Sequence, residues 1–121
     1  MTEEKLIQLI SEFTGERPVA AEIGSKVAQQ RDYYLEHVHG PRLRACRNYP
    51  TFHEQGVIEE EIPTDSLQEL IRQLTYGIAV LEQVPEDSHF YTCHASFPDR
   101  EWKGIICEKG VISGYVATEK S

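Results

Sequence analysis

Long apolar runs are missing from this chain; none approaches the roughly 20 residues that a membrane-spanning helix requires, and no hydrophobic signal segment opens it. Cysteine is scarce: three residues, an odd number with no C-x-x-C spacing, exclude a disulfide framework and a zinc ribbon and predict reduced thiols in a cytoplasmic protein. There is no H-E-x-x-H and no glycine-rich phosphate loop. Bases are outnumbered, 12 against 20 acids, and the net charge of −8 disfavours non-specific binding to a nucleic-acid backbone. Such a charge equally suits a cationic protein partner, although solubility is its commoner purpose. Internal repeats, low-complexity stretches and linkers are also lacking, so residues 1–121 read as one domain, able to bury roughly two-thirds of its unfolded surface.

What is present is clearest in the last third. Residues 88–118 read as a three-stranded antiparallel meander: His89–Phe97, a Pro98–Glu101 turn, Trp102–Cys107, a Glu108–Gly110 turn, then Val111–Thr118. Gly110 falls where a three-residue hairpin loop needs positive φ. Pairing Phe97 with Trp102, Cys93 with Ile106, Gly104 with Gly114 and Trp102 with Val116 sorts the side chains by face. Cys93, Ala95, Phe97, Trp102, Ile106, Ile112 and Val116 then line an apolar face suited to covering helices. Thr92, His94, Ser96, Lys103, Ile105, Cys107, Ser113 and Tyr115 line a mixed one, and Phe90 falls there too, as the ring most available to a ligand.

Upstream, Thr2 caps a first helix carrying Leu6, Ile7, Leu9, Ile10 and Phe13, and Gly15 stops it. Pro18 fits the start of a second helix with Ala20, Ile23, Val27, Tyr34 and Val38 on one side, ended by Gly40-Pro41; Gly24 inside it asks for a closely packed neighbour or a later start. Leu43 and Ala45 alternate with arginines as a short strand would, and Val57–Ile62 reads as another. Ser66 and Glu69 form a capping box opening a third helix striped by Leu67, Leu70, Ile71, Leu74, Ile78 and Leu81. The order predicts an α+β fold, two N-terminal helices and one further helix packed on an antiparallel sheet that ends in the meander.

Charge is segregated along the chain. His37 through His53 contains no acid but holds Arg42, Arg44 and Arg47, whereas Glu54 through Glu69 holds six acids and no base. The two stretches either neutralise one another or leave the arginines free for an anion, since a guanidinium matches phosphate or carboxylate oxygens in pairs. Tyr49, or a ring of the meander, would stack on a base. His37-x-His39 offers two metal ligands, yet its place before Gly40 suits a helix C-terminus better, and no metal or cofactor is expected. Cys93 and His94 point to opposite faces; His94 and Cys107 share one as diagonal neighbours, with no residue to orient the histidine. No acid–base–nucleophile set emerges, so the expectation is a protein that is not an enzyme.

With Arg31 on the second predicted helix, Phe90 opening the meander and Asp99-Arg100 at a polar hairpin tip, the chain resembles the small phage anti-defence proteins that sequester the nucleotide signal of Thoeris immunity. That resemblance implies a homo-oligomer holding a cyclic ADP-ribose-type signal between subunits, with arginine on phosphate and an aromatic ring on adenine. The expected ligand site comprises Arg31, Arg42, Arg44, Arg47, Tyr49, Phe90 and Arg100, and the expected ligand is an anionic cyclic nucleotide or ADP-ribose type. The alternative is an acidic immunity or antitoxin-type inhibitor that blocks a cationic partner through Glu59, Glu60, Glu61 and Asp65.

Overall fold

In the computed structural model, which describes residues 1–58 and 64–119, helix α1 (Glu3–Thr14) begins where the Thr2 hydroxyl accepts from the Lys5 amide and ends at Gly15, with φ of 80°. The next segment departs from expectation. Ala20–Lys26 is a strand, β1, and no second helix starts at Pro18. The Val19 amide donates to the Ser96 carbonyl at 2.7 Å, which draws the chain onto the sheet before a helical turn can form. Gly24 is explained by the neighbour it permits: a Cβ there would overlap the Thr92 hydroxyl, which accepts from the Ser25 amide where the strand bulges.

The second helical segment starts later, as an arm of short pieces: α2 (Arg31–Tyr33), a π-helical stretch (Tyr34–His39), α3 (Gly40–Arg47) and α4 (Tyr49–Glu54). Gly40-Pro41 therefore does not end the helix. A proline lacks the amide for the i−4 bond and presses on the carbonyl one turn back; the wider i→i+5 turn before it relieves both demands. Gly40 is required there, because a Cβ would overlap the Leu35 carbonyl. Leu43 and Ala45 are helical, not a strand, and Leu43 and Cys46 pack on Leu74. Val57 and Ile58 form no strand, and residues 59–62 of that expected element lie outside the described residues. Helix α5 (Thr64–Glu82) begins ahead of Ser66, so the capping box does not form; Glu69 pairs with Arg72 instead.

Strands β2 (Tyr91–Ser96), β3 (Arg100–Cys107) and β4 (Gly110–Glu119) make the meander, and the antiparallel sheet has the order β1-β2-β3-β4. The fold is α+β. Between β2 and β3 the register is offset by two residues from the expected one, pairing Ala95 with Trp102 and Cys93 with Gly104. An offset of two leaves every side chain on its face. Trp102 and Val116 pair as expected, as do Gly104 and Gly114, but a bulge follows and leaves Ile112 without a partner.

That bulge divides the core. Cys93, Ala95, Phe97, Trp102, Ile106 and Val111 pack with Ala21 and the apolar stripe of α1. Ile112 and Cys107 join Phe90, Tyr34, Val80, Leu81 and Val84 in a second cluster between the arm and α5. Phe90 is thus fully buried, contrary to its expected exposure, because the arm covers that end of the mixed face. Val116, expected inside, is 49% exposed. No helix among the described residues is long and apolar enough to cross a membrane.

Candidate functional site

Helix α5 and strand β4 touch where Gly77 meets the Ile112 carbonyl; any Cβ at Gly77 would overlap that oxygen. Outward from this contact the helix presents Leu74, Gln73, Leu70 and Glu69, and the strand presents Ser113, Gly114, Tyr115 and Val116. Between them lies a cleft of about 660 Å³. The arm contributes Tyr34, Val38, His39 and Arg42 to its lining, and Phe13, Arg100 and Trp102 are also part of it. Trp102 lies flat on the sheet, since a Cβ on Gly104 or Gly114 would overlap its indole, and Phe13 packs beside it at 6.1 Å between centroids.

His39 secures the closed end of this cleft. Its ring is buried, with Nε2 at 2.7 Å from the Ile112 carbonyl. A carbonyl only accepts, so Nε2 carries the hydrogen and donates. Nδ1, near the Tyr34 carbonyl, is buried without a hydrogen bond among the described residues. Burial pushes the imidazole below its ordinary pKa and the Arg42 charge adds to this, while the Ile112 hydrogen bond works the other way. His39 is thereby held neutral, as a clasp between arm and sheet edge.

Among the described residues three charged side chains line the cleft, and two are already engaged. Glu69 accepts from Arg72 at 2.9 and 2.6 Å and from Gln73 at 3.1 Å, and the Arg72 hydrogen bonds hold its carboxyl below the usual range. Arg100 meets Glu16 and Asp99, each at 2.8 Å, and lies 4.0 Å over the Phe97 ring. Arg42 is exposed on α3 and has no carboxylate within reach among the described residues.

Of the seven residues expected to bind ligand, Arg42 and Arg100 reach this cleft. Arg44 and Arg47 are exposed on the same helix, but at 100° per residue they share a side with each other and not with Arg42. Arg31 is consumed elsewhere, by Asp32 at 3.0 Å, the Val84 carbonyl at 3.1 Å and Glu86 at 3.9 Å. Tyr49 is half-buried on α4 with its ring against His53, and Phe90 is in the core. Glu59, Glu60 and Glu61, the proposed contact surface of an inhibitor, lie outside the described residues. Trp102 and Tyr34 are buried as expected and also line the cleft, a role that the sequence did not reveal; His39, expected at a helix C-terminus, lines it too. Gly77, interrupting an otherwise continuous helical stripe, was the available signal of a close approach.

The other constellations separate. His37 lies against Tyr33 while His39 turns to Ile112, and no group of three metal-ligating side chains occurs among the described residues. Cys107 is buried, its thiol pushed up by desolvation and directed at the Gly110 carbonyl; Cys93 is pushed up to about 12. On the open sheet face Glu101 orients His94 at 2.7 Å, a partner that the sequence did not reveal. Ser96, however, donates to Glu101 and not to His94, so the three lack the connectivity of a nucleophile relay. No protein-family model matches the chain, and neither the curated proteins nor the solved structures contain a match to it.

Proposed function

We propose that this is a non-catalytic binding protein that captures an anionic, nucleotide-like ligand in the cleft between α5 and β4. The observation that carries the reading is Arg42: an exposed guanidinium, uncompensated among the described residues, on a cleft walled by Tyr34, Trp102 and Tyr115. Arg42 meets the phosphate in paired hydrogen bonds, and the exposed Tyr115 ring stacks on the base. The volume is of the size that small-molecule sites have, a few hundred Å³. The reading shares its ligand class with the signal-sequestering proteins that the sequence resembles, but not their carrying residues, since Arg31, Phe90 and Arg100 are engaged elsewhere. It also suits a cytoplasmic setting for three unpaired cysteines. A second copy set against the open side of the cleft would bury the ligand further, as the homo-oligomer reading requires. Isothermal titration with AMP, ADP-ribose and cyclic dinucleotides tests it: at least one binds with 1:1 stoichiometry per chain, and the absence of heat with all of them ends the proposal.

A further inference from the structure

The two edges of the sheet are built differently. β1 is guarded: it carries Glu22 and Lys26 and bulges between Ile23 and Lys26, devices that discourage a further strand from pairing. β4 has no charged residue and no proline from Val111 through Thr118. Its irregularities fall at either side of Trp102–Ile105, leaving Ser113–Val116 in regular register with β3. Ahead of this stretch the edge is covered, where His39 takes the Ile112 carbonyl and α5 closes on Gly77. Beyond that point no backbone or side-chain hydrogen bond outside the sheet reaches Ser113–Val116 among the described residues. Tyr115 and Val116 are 63% and 49% exposed. An uncovered, unguarded edge with a helix diverging alongside is the groove in which extended peptides add a strand to a sheet.

We propose that this groove takes an extended peptide segment as a fifth strand on β4, with an acidic side chain or terminal carboxylate of that segment on Arg42. The charge follows from the lining, where Glu69 and Arg100 are neutralised by their own partners and Arg42 has no such partner among the described residues. Alternation follows from strand geometry: every second side chain meets Leu70 and Leu74, so those positions are apolar, and the others face water. Four residues, about 14 Å of strand, match the regular stretch Ser113 to Val116. The proposal does not rest on the nucleotide reading, since it uses the backbone of the edge; the two ligands would exclude one another from the same space.

The probe is an acetylated heptapeptide alternating threonine and valine and ending in a free carboxylate, titrated into the full chain and followed by amide exchange. At saturation the outward amides within 113–116 exchange at least tenfold more slowly, and no comparable change occurs on β1. Arg42→Gln, or amidation of the peptide terminus, weakens binding at least fivefold. Val116→Lys, at an exposed position where the fold tolerates charge, weakens it as much while the melting temperature holds. No binding up to about 1 mM peptide overturns the proposal, as does protection of the same amides that rises with protein concentration alone, which would make a second copy the occupant. Nucleotide binding without peptide binding also overturns it, whereas peptide binding without nucleotide binding removes only the earlier reading.

Discussion

Arg100 and Arg42 line one cleft, yet the fold treats them in contrary fashion. Arg100 is clamped by Glu16 and Asp99 over the Phe97 ring, with 20% of its side chain exposed. Arg42 stands on α3 with no carboxylate within reach among the described residues. A guanidinium already satisfied by internal acids adds to stability and has little left for a ligand; one without such partners contributes little to folding and is free to bind. The difference teaches that counting arginines near a cavity does not locate an anion site. What matters is which of them the chain has left uncompensated.

The wall shared by both cations gives the largest expected effect. Trp102→Ala removes an indole seated on Gly104 and Gly114 and packed against Phe13, and unfolding by urea should show a loss of about 3–5 kcal/mol. A loss below about 1 kcal/mol would mean that the ring is not the floor described. Arg42→Ala should weaken a phosphate-bearing ligand about tenfold or more, roughly 1.4 kcal/mol, with the melting temperature unchanged within about 2 °C. Arg100→Ala should do the reverse: about 1 kcal/mol of stability lost, from the ring contact and two surface ion pairs, and affinity nearly unaltered. If the two variants exchanged phenotypes, the comparison would be inverted.

The smallest effect is a matter of pH. His39 is buried neutral and its folded pKa lies below 6.5, so the unfolded chain takes up the proton first. Its stabilising contribution is therefore complete above about pH 6.5 and declines as pH falls towards the depressed folded value. Stability curves at several pH values between 5 and 7 should slope downward on acidification, and His39→Gln should flatten that slope. An equal slope in the variant would assign the dependence to other groups.

Much of the meander was legible because two short turns and strict alternation constrain it: Cys93, Ala95, Trp102 and Ile106 were placed on the buried face even though the β2–β3 register was offset by two. The N-terminal helix was legible from its cap and stripe. Ala20–Lys26 was not, because its alanines and Ile23 fit a helical stripe as well as an edge strand, and only pairing with β2 decides between them. The arm was illegible for a different reason. Pro41 marks a helix end by every local rule, and the π turn that lets the helix run through it has no sequence pattern of its own. The candidate site suffered most, since a cleft between α5 and β4 depends on how far two elements diverge. Arg42 was chosen along with Arg44 and Arg47 as a cluster in sequence, while the helix that carries them turns it to another side.

The guanidinium resonances of the arginines, observed one by one by nitrogen-15 NMR during titration with ADP-ribose, test the central claim most directly. The Arg42 Nε–Hε signal should shift and saturate with the ligand, while those of Arg100 and Arg31 hold still. Saturable movement at Arg44 and Arg47 with Arg42 unmoved, or no movement at any of them, would contradict it.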